Sequence, residues 1–96
     1  MSELDDAALV RIAQTGDPIG LGVLLERHRA RLHAVALAML GHGPDAEDAV
    51  QETFVIALQR IGELREPAAA GAWLTTVQTN VCRARRRRPD RELAPR

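Results

Sequence analysis

From Gly43 to Leu58 the chain reads Gly-Pro-Asp-Ala-Glu-Asp-Ala-Val-Gln-Glu-Thr-Phe-Val-Ile-Ala-Leu, with apolar residues recurring three and four positions apart. At about 100° per residue this spacing makes a helix with two faces. Ala46, Val50, Phe54, Ala57, Leu58 and Ile61 gather on one side and are expected to face a core. Asp48, Gln51, Glu52, Val55 and Gln59 gather opposite, with Ile56 beside them. Carboxylates and an amide mixed with an apolar residue suit a surface that meets another protein, but a solvated face with a stray valine has the same pattern.

Helical periodicity extends over most of the chain. A first helix is expected from Glu3 to Gln14, with Ser2 as N-cap, Asp5 at the capping-box position and Gly16 as its stop. Asp17-Pro18 reads as an N-cap followed by proline at the first helical position. The second helix then runs to the Gly41-His42-Gly43-Pro44 break and carries a stripe of Leu21, Leu24, Leu25, His28, Leu32, Val35, Ala36 and Met39. The third helix is expected from about Asp45 to Ile61, followed by a connection from Gly62 through Pro67 to Ala70. A fourth, from about Gly71 to Arg87, has a core seam of Leu74, Val77, Val81 and Ala84. Residues 1–88 therefore read as one compact all-α, four-helix domain, and residues 89–96, which lack periodicity after Pro89, as a flexible tail.

Length and composition narrow this picture. Ninety-six residues support one modest core. Phe54 and Trp73 are the only aromatics, so the helices must pack through Ala, Leu and Val. There is no apolar run of membrane-spanning length, and the acidic start Met1-Ser2-Glu3-Leu4-Asp5-Asp6 is unlike a secretory signal, which points to a cytoplasmic chain without membrane insertion. Cys82 is the lone cysteine, which excludes an internal disulfide and a thiolate-rich metal site.

The net charge of zero conceals an asymmetry. Residues 1–82 hold six Arg against eleven Asp and Glu, whereas residues 83–96 hold seven Arg against Asp90 and Glu92, giving −5 and +5. An acidic body with a basic end suits two different partners, one of them a polyanion.

Catalytic and metal chemistry lack support. His28 and His33 fall on different sides of their helix, and His42 lies in a glycine-flanked break. Asp45, Glu47, Asp48 and Glu52 have no accompanying nucleophile motif, ligand set or phosphate-cradling loop, so neither an enzyme nor a cofactor is expected. Acids in a first helical turn also favour the helix dipole whatever else they do.

The fourth helix is more informative. Thr76, Asn80, Arg83 and Arg87 align on one face beside the core seam, and Trp73 stands at the border of the two. Arginines can hold phosphates while short polar side chains approach base edges. A solvated face whose terminal arginines complement the helix dipole explains the same residues.

Taken together, Asp45-Ala46-Glu47-Asp48-Ala49-Val50-Gln51-Glu52-Thr53-Phe54, a short loop, Ala72-Trp73-Leu74, Asn80 and a basic end resemble region 2 of the bacterial sigma-70 family, in particular the extracytoplasmic-function (ECF) sigma factors. The likeness covers roughly Leu4 to Arg88. It implies that Asp48, Gln51 and Glu52 pack on the clamp helices of the largest subunit of core RNA polymerase, and Val55 and Gln59 join that polymerase-binding set by sharing their helix face. It also implies that Thr76, Asn80 and Arg83 face the duplex part of the promoter −10 element and that the loop from Gly62 to Ala70, with Leu64 and Arg65, approaches a flipped base; by position on the helix, Arg87 continues the DNA-facing row and Trp73 points to the junction where the strands part. An anti-sigma protein is a further partner the resemblance admits.

Two departures stand out. Family members carry more aromatics around the loop, where Leu64 and Ala68-Ala69-Ala70 stand here. The basic run also ends the chain, so residues 89–96 read as the start of a linker to a second helical domain, region 4, that the sequence lacks. Three readings stay open on sequence: a promoter-recognition module, a regulatory sigma-like domain that binds polymerase or an anti-sigma protein without opening promoters, and a generic nucleic-acid-binding helical domain.

Overall fold

Side-chain caps open the first two helices in the computed structural model, which describes residues 3–87. Helix α1 spans Asp6–Gln14, α2 Pro18–Leu40, α3 Gly43–Arg60 and α4 Ala70–Arg86, with two short 3-10 turns, Ile61–Glu63 and Pro67–Ala69, between α3 and α4. The Asp5 carboxylate accepts from Ala8 N–H at 2.8 Å, and the Asp17 carboxylate accepts from Ile19 N–H at 2.9 Å. Each such cap is worth about 0.5–2 kcal/mol. The expected start of α1 is thus corrected. Asp5, not Ser2, is the N-cap, and Ser2 lies outside the described residues, as do Arg88 and the stretch 89–96 read as a tail.

The second helix begins and ends where its sequence signals lie. Asp17 and Pro18 open it, and Gly41 closes it in the left-handed conformation (φ 72°) that glycine adopts without a Cβ penalty. Helix α1 crosses it closely at Gly20, where a Cβ would stand 2.8 Å from Ile12 Cγ2 and 2.9 Å from the Leu9 carbonyl oxygen. Any larger residue there would force the two helices apart.

Two apolar clusters fill the interior. The first joins α2, α3 and α4 through Leu32, Ala36, Ala49, Val50, Leu74 and Val81. The second gathers α1, the start of α2 and the α3–α4 connection around Leu9, Leu21, Leu24, Ile61 and Ala70. Trp73 and Leu25 are partly buried and pack against both.

The buried face of α3 is rotated from the expected stripe. Ala46, Ala49, Val50, Thr53 and Ala57 are buried, whereas Leu58 is 61% exposed. Thr53 can replace an apolar residue because its hydroxyl donates to the Ala49 carbonyl at 2.8 Å, leaving no unsatisfied donor. Ile56, expected beside the outer face, is instead half-buried against the first cluster. On α4, Leu74 and Val81 are buried as expected, Val77 and Ala84 are half-buried, and Gln78 and Cys82 join them fully buried.

Gln78 is the costly member of this core. Its Nε2 donates to the Leu32 carbonyl of α2 at 2.7 Å, while its Oε1 has no hydrogen-bond partner. An unpaired buried acceptor costs about 1–3 kcal/mol. Burial also pushes the Cys82 thiol up from its ordinary pKa, so it packs as a small apolar group.

An ionic knot ties α1 to α2. Asp6 sits 2.7 Å from His28 Nε2 and 3.0 Å from Arg27, and Arg31 lies 3.2 Å from His28 Nδ1. With Nδ1 accepting from the guanidinium, Nε2 carries the proton and donates to Asp6. Burial alone would raise the Asp6 carboxyl, but hydrogen bonds from His28 and Arg27 outweigh it and hold its pKa below the usual value. A carboxyl whose pKa is lower folded than unfolded contributes stability above its unfolded pKa and loses it as pH falls through the folded one. His28 is therefore a boundary residue, half-buried and engaged.

Candidate protein and nucleic-acid interfaces

The outward face of α3 is intact in the structure. Asp48, Gln51, Glu52, Val55 and Gln59 are all exposed. Rotation of the buried face adds Leu58 to them, and Val55 is 52% exposed. These two flank an apolar groove of about 260 Å³ between α2 and α3, also lined by Gly22, Leu25, Gln51 and Phe54. Ile19 on α2 is likewise 60% exposed, though it is not among the groove's lining residues. Leu58 was expected in the core stripe and is corrected to the surface, while Ile19 was given no role in the sequence reading.

Gln51 links this groove to a second one. Arg29, Ala30, His33, Glu47 and Val50 line that depression of about 480 Å³ together with Gln51. The Arg29 guanidinium lies 4.8 Å from the centre of the Phe54 ring, a cation–π distance that keeps the ring at the rim. The surface is thus a continuous α2–α3 strip with an apolar floor and polar edges. Asp48, Glu52 and Gln59 stand on the same helix but outside the lining of either groove.

Helix α4 presents a different surface. Thr76, Asn80, Arg83 and Arg87 are exposed and follow one another along the helix. Arg83, Arg86 and Arg87 line a shallow pocket of about 310 Å³ at its end, where carbonyl dipoles favour positive charge. Arg86 had no place in the expected row but belongs to this basic group. Trp73 is half-buried, so its ring is neither a pure core residue nor a free platform.

The loop places its two expected residues unequally. Arg65 is exposed, whereas Leu64 is half-buried and packs on the second cluster, so part of its side chain belongs to the core. The start of the loop is held from α1. Gln14 Nε2 donates to both the Ile61 and Leu64 carbonyls at 2.9 Å.

The two helical surfaces meet at one ion pair. Arg85 of α4 donates to Glu52 of α3 at 3.1 Å, with the side chains 30% and 48% exposed. Arg85 Nε is buried without an acceptor. Among the described residues, no group of three or more His, Cys, Asp or Glu converges to hold a metal ion, and no helix is long and apolar enough to cross a membrane.

The domain is all-α, with an acidic and apolar strip on α3 and a polar-to-basic row on α4. The chain belongs to the Sigma-70 region 2 family, whose model matches residues 24–92. It is 34% identical over 86 residues to the ECF RNA polymerase sigma factor SigM of Mycobacterium tuberculosis, covering 90% of this chain and 44% of that protein. It is 30% identical over 94 residues to the ECF RNA polymerase sigma-E factor of Haemophilus influenzae, covering 94% and 49%. With the ECF RNA polymerase sigma factor BldN of Streptomyces coelicolor it shares 34% over 74 residues, or 76% and 28%. The chain therefore spans less than half the length of each of these relatives. No solved structure matches it at a significant level.

Proposed function

We propose that this chain is the promoter-recognition module of an ECF-type sigma factor, a cytoplasmic binding domain without catalysis of its own. In this reading residues 1–88 act as one region 2 unit. The α3 strip of Asp48, Gln51, Glu52, Val55 and Gln59, extended by Leu58, docks on the clamp helices of core RNA polymerase. Helix α4 turns Thr76, Asn80, Arg83 and Arg87 to the −10 element, and the loop with Leu64 and Arg65, together with Trp73, meets opened bases.

The observation that carries this reading is the separation of the two surfaces onto adjacent helices of a family-matched domain. An apolar floor edged by carboxylates suits a helical protein partner, and a row ending in clustered arginines suits a phosphate backbone.

Asp48→Arg tests the protein-binding half. Asp48 is exposed, so the substitution should leave helicity and melting unchanged. Removing one member of a buried interfacial charge pair typically costs about 2–5 kcal/mol, so affinity for core polymerase, measured by titration, should fall strongly. Unchanged affinity in both Asp48→Arg and Gln51→Ala would mean that another surface meets polymerase.

A second reading is supported by the loop. The segment from Gly62 to Ala70 has no aromatic side chain on which an unpaired base could stack. A regulatory domain that binds polymerase or an anti-sigma protein without opening promoters would have such a loop. Permanganate footprinting of opened −10 DNA, with region 4 supplied in a chimera, separates the two: reactive unpaired thymines support the first reading and a protected duplex the second.

A further inference from the structure

Gln14 is exposed at the end of α1, yet both N–H bonds of its amide are taken. An amide nitrogen has two N–H bonds, and those of Gln14 go to Ile61 O and Leu64 O, each at 2.9 Å. The Leu64 N–H donates back to Ile61 O at 3.2 Å, closing the short 3-10 turn between them. One planar group thus grips both ends of a turn 47 and 50 residues away in sequence.

The later part of the connection has its own support, since the Pro67–Ala69 turn lies against α1 and Pro67 is half-buried. Ile61 and Ala70 are buried, while Gly62, Glu63, Arg65 and Glu66 are exposed. The Arg60–Glu63 ion pair at 2.9 Å is local and solvent-exposed, so it does not fix the turn against the body of the domain. Leu64 packs on the second cluster, but an apolar contact does not set direction as two convergent hydrogen bonds do.

We infer that Gln14 is a positioning residue for capture of unpaired −10 DNA: by holding the Ile61 and Leu64 carbonyls it fixes the path on which Leu64 and Arg65 reach the strand. The inference rests on the reading of this loop as a DNA-contacting element. It also gives α1 a part in the site, although α1 lies outside the residues matched by the family. A loop held in place before binding needs less ordering when it binds, so release should weaken strand capture more than duplex recognition by α4.

Two variants of the whole chain test it. Gln14→Met keeps the side-chain length and removes both donors, and Gln14→Glu sets acceptors against two carbonyls. Trypsin cleavage after Arg65 reports loop release without reference to DNA. Binding of a single-stranded nontemplate −10 oligonucleotide and of a −10 duplex by the polymerase-bound chain reports its consequence. Faster cleavage after Arg65, with about tenfold weaker single-strand binding and duplex and polymerase binding changed less than about twofold, is expected, more severely for Gln14→Glu. Unchanged cleavage overturns the proposal, as does faster cleavage with intact strand capture or an equal loss on duplex and single strand. A wild-type chain that cannot tell the −10 strand from a scrambled one overturns the reading of the loop itself, and that result comes from the unmutated control.

Discussion

Helices α3 and α4 are buried in much the same way and exposed in opposite ways. Both pack against α2 through small or medium residues, Ala46, Ala49 and Ala57 on one and Ala70, Leu74 and Val81 on the other. Both also bury one polar side chain, Thr53 and Gln78. Outside, α3 shows carboxylates, amides and two exposed apolar residues over a groove, whereas α4 shows short polar groups leading into arginines. The inner faces follow from folding alone. The outer faces do not, since either helix would be soluble with the other's surface.

Leu58→Glu is the sharpest way to break the contrast, because it leaves Val55 as the one exposed large apolar side chain of the α3 strip. Leu58 is 61% exposed, so stability should change by no more than about 0.5 kcal/mol. Core-polymerase affinity should fall by about 2 kcal/mol or more if this side chain anchors the partner in its groove. Unaltered affinity would confine the interface to the polar edge, and a large loss of melting temperature would return Leu58 to the core.

The α4 row should divide into residues that read sequence and residues that only hold DNA. In polymerase-bound form, Asn80→Ala should lower discrimination between promoter and scrambled −10 duplexes by about 1–3 kcal/mol. Arg87→Ala should weaken both duplexes equally and lower the salt dependence by about one unit of slope. Fluorescence titration over a range of salt concentrations measures both. Equal loss on both duplexes for Asn80→Ala would make the whole row electrostatic.

Legibility in the sequence followed the range of the interaction. The limits of α2 could be read because Asp17, Pro18 and Gly41 act on their own backbone. The start of α1 could not, since Ser2 and Asp5 are both good caps and Asp6 pairs with Arg27 and His28 more than twenty residues away. Gln78 found no place in the expected core seam because its partner is a backbone carbonyl on another helix. Leu58 looked like core because the rule counts apolar residues and Thr53, satisfied by its own helix, does not register as one. The outward positions on α3 and α4 were legible as exposed, because all of them except Val55 are polar or charged residues that a core would exclude. Gln14 carried no sequence signal at all, as only the folded loop brings two carbonyls to it.

The smallest effect is expected where the two surfaces touch. Glu52 and Arg85 are partly exposed and 3.1 Å apart, so the pair should contribute about 0.2–1 kcal/mol to stability. The two truncations should nevertheless differ. Arg85 Nε is buried without an acceptor, so Glu52→Gln leaves a poorly solvated cation with a weaker partner, whereas Arg85→Gln leaves a half-exposed carboxylate that water can serve. Glu52→Gln should therefore destabilise more, and the double variant should be less unstable than the sum of the two. Thermal unfolding of all four forms gives the coupling, which should shrink at high salt as it does for exposed charges. A coupling near zero would leave α3 and α4 independent in their outward chemistry. One well above about 1 kcal/mol would mean that Glu52 belongs first to the fold, and that a polymerase partner meets α3 with that carboxylate already taken.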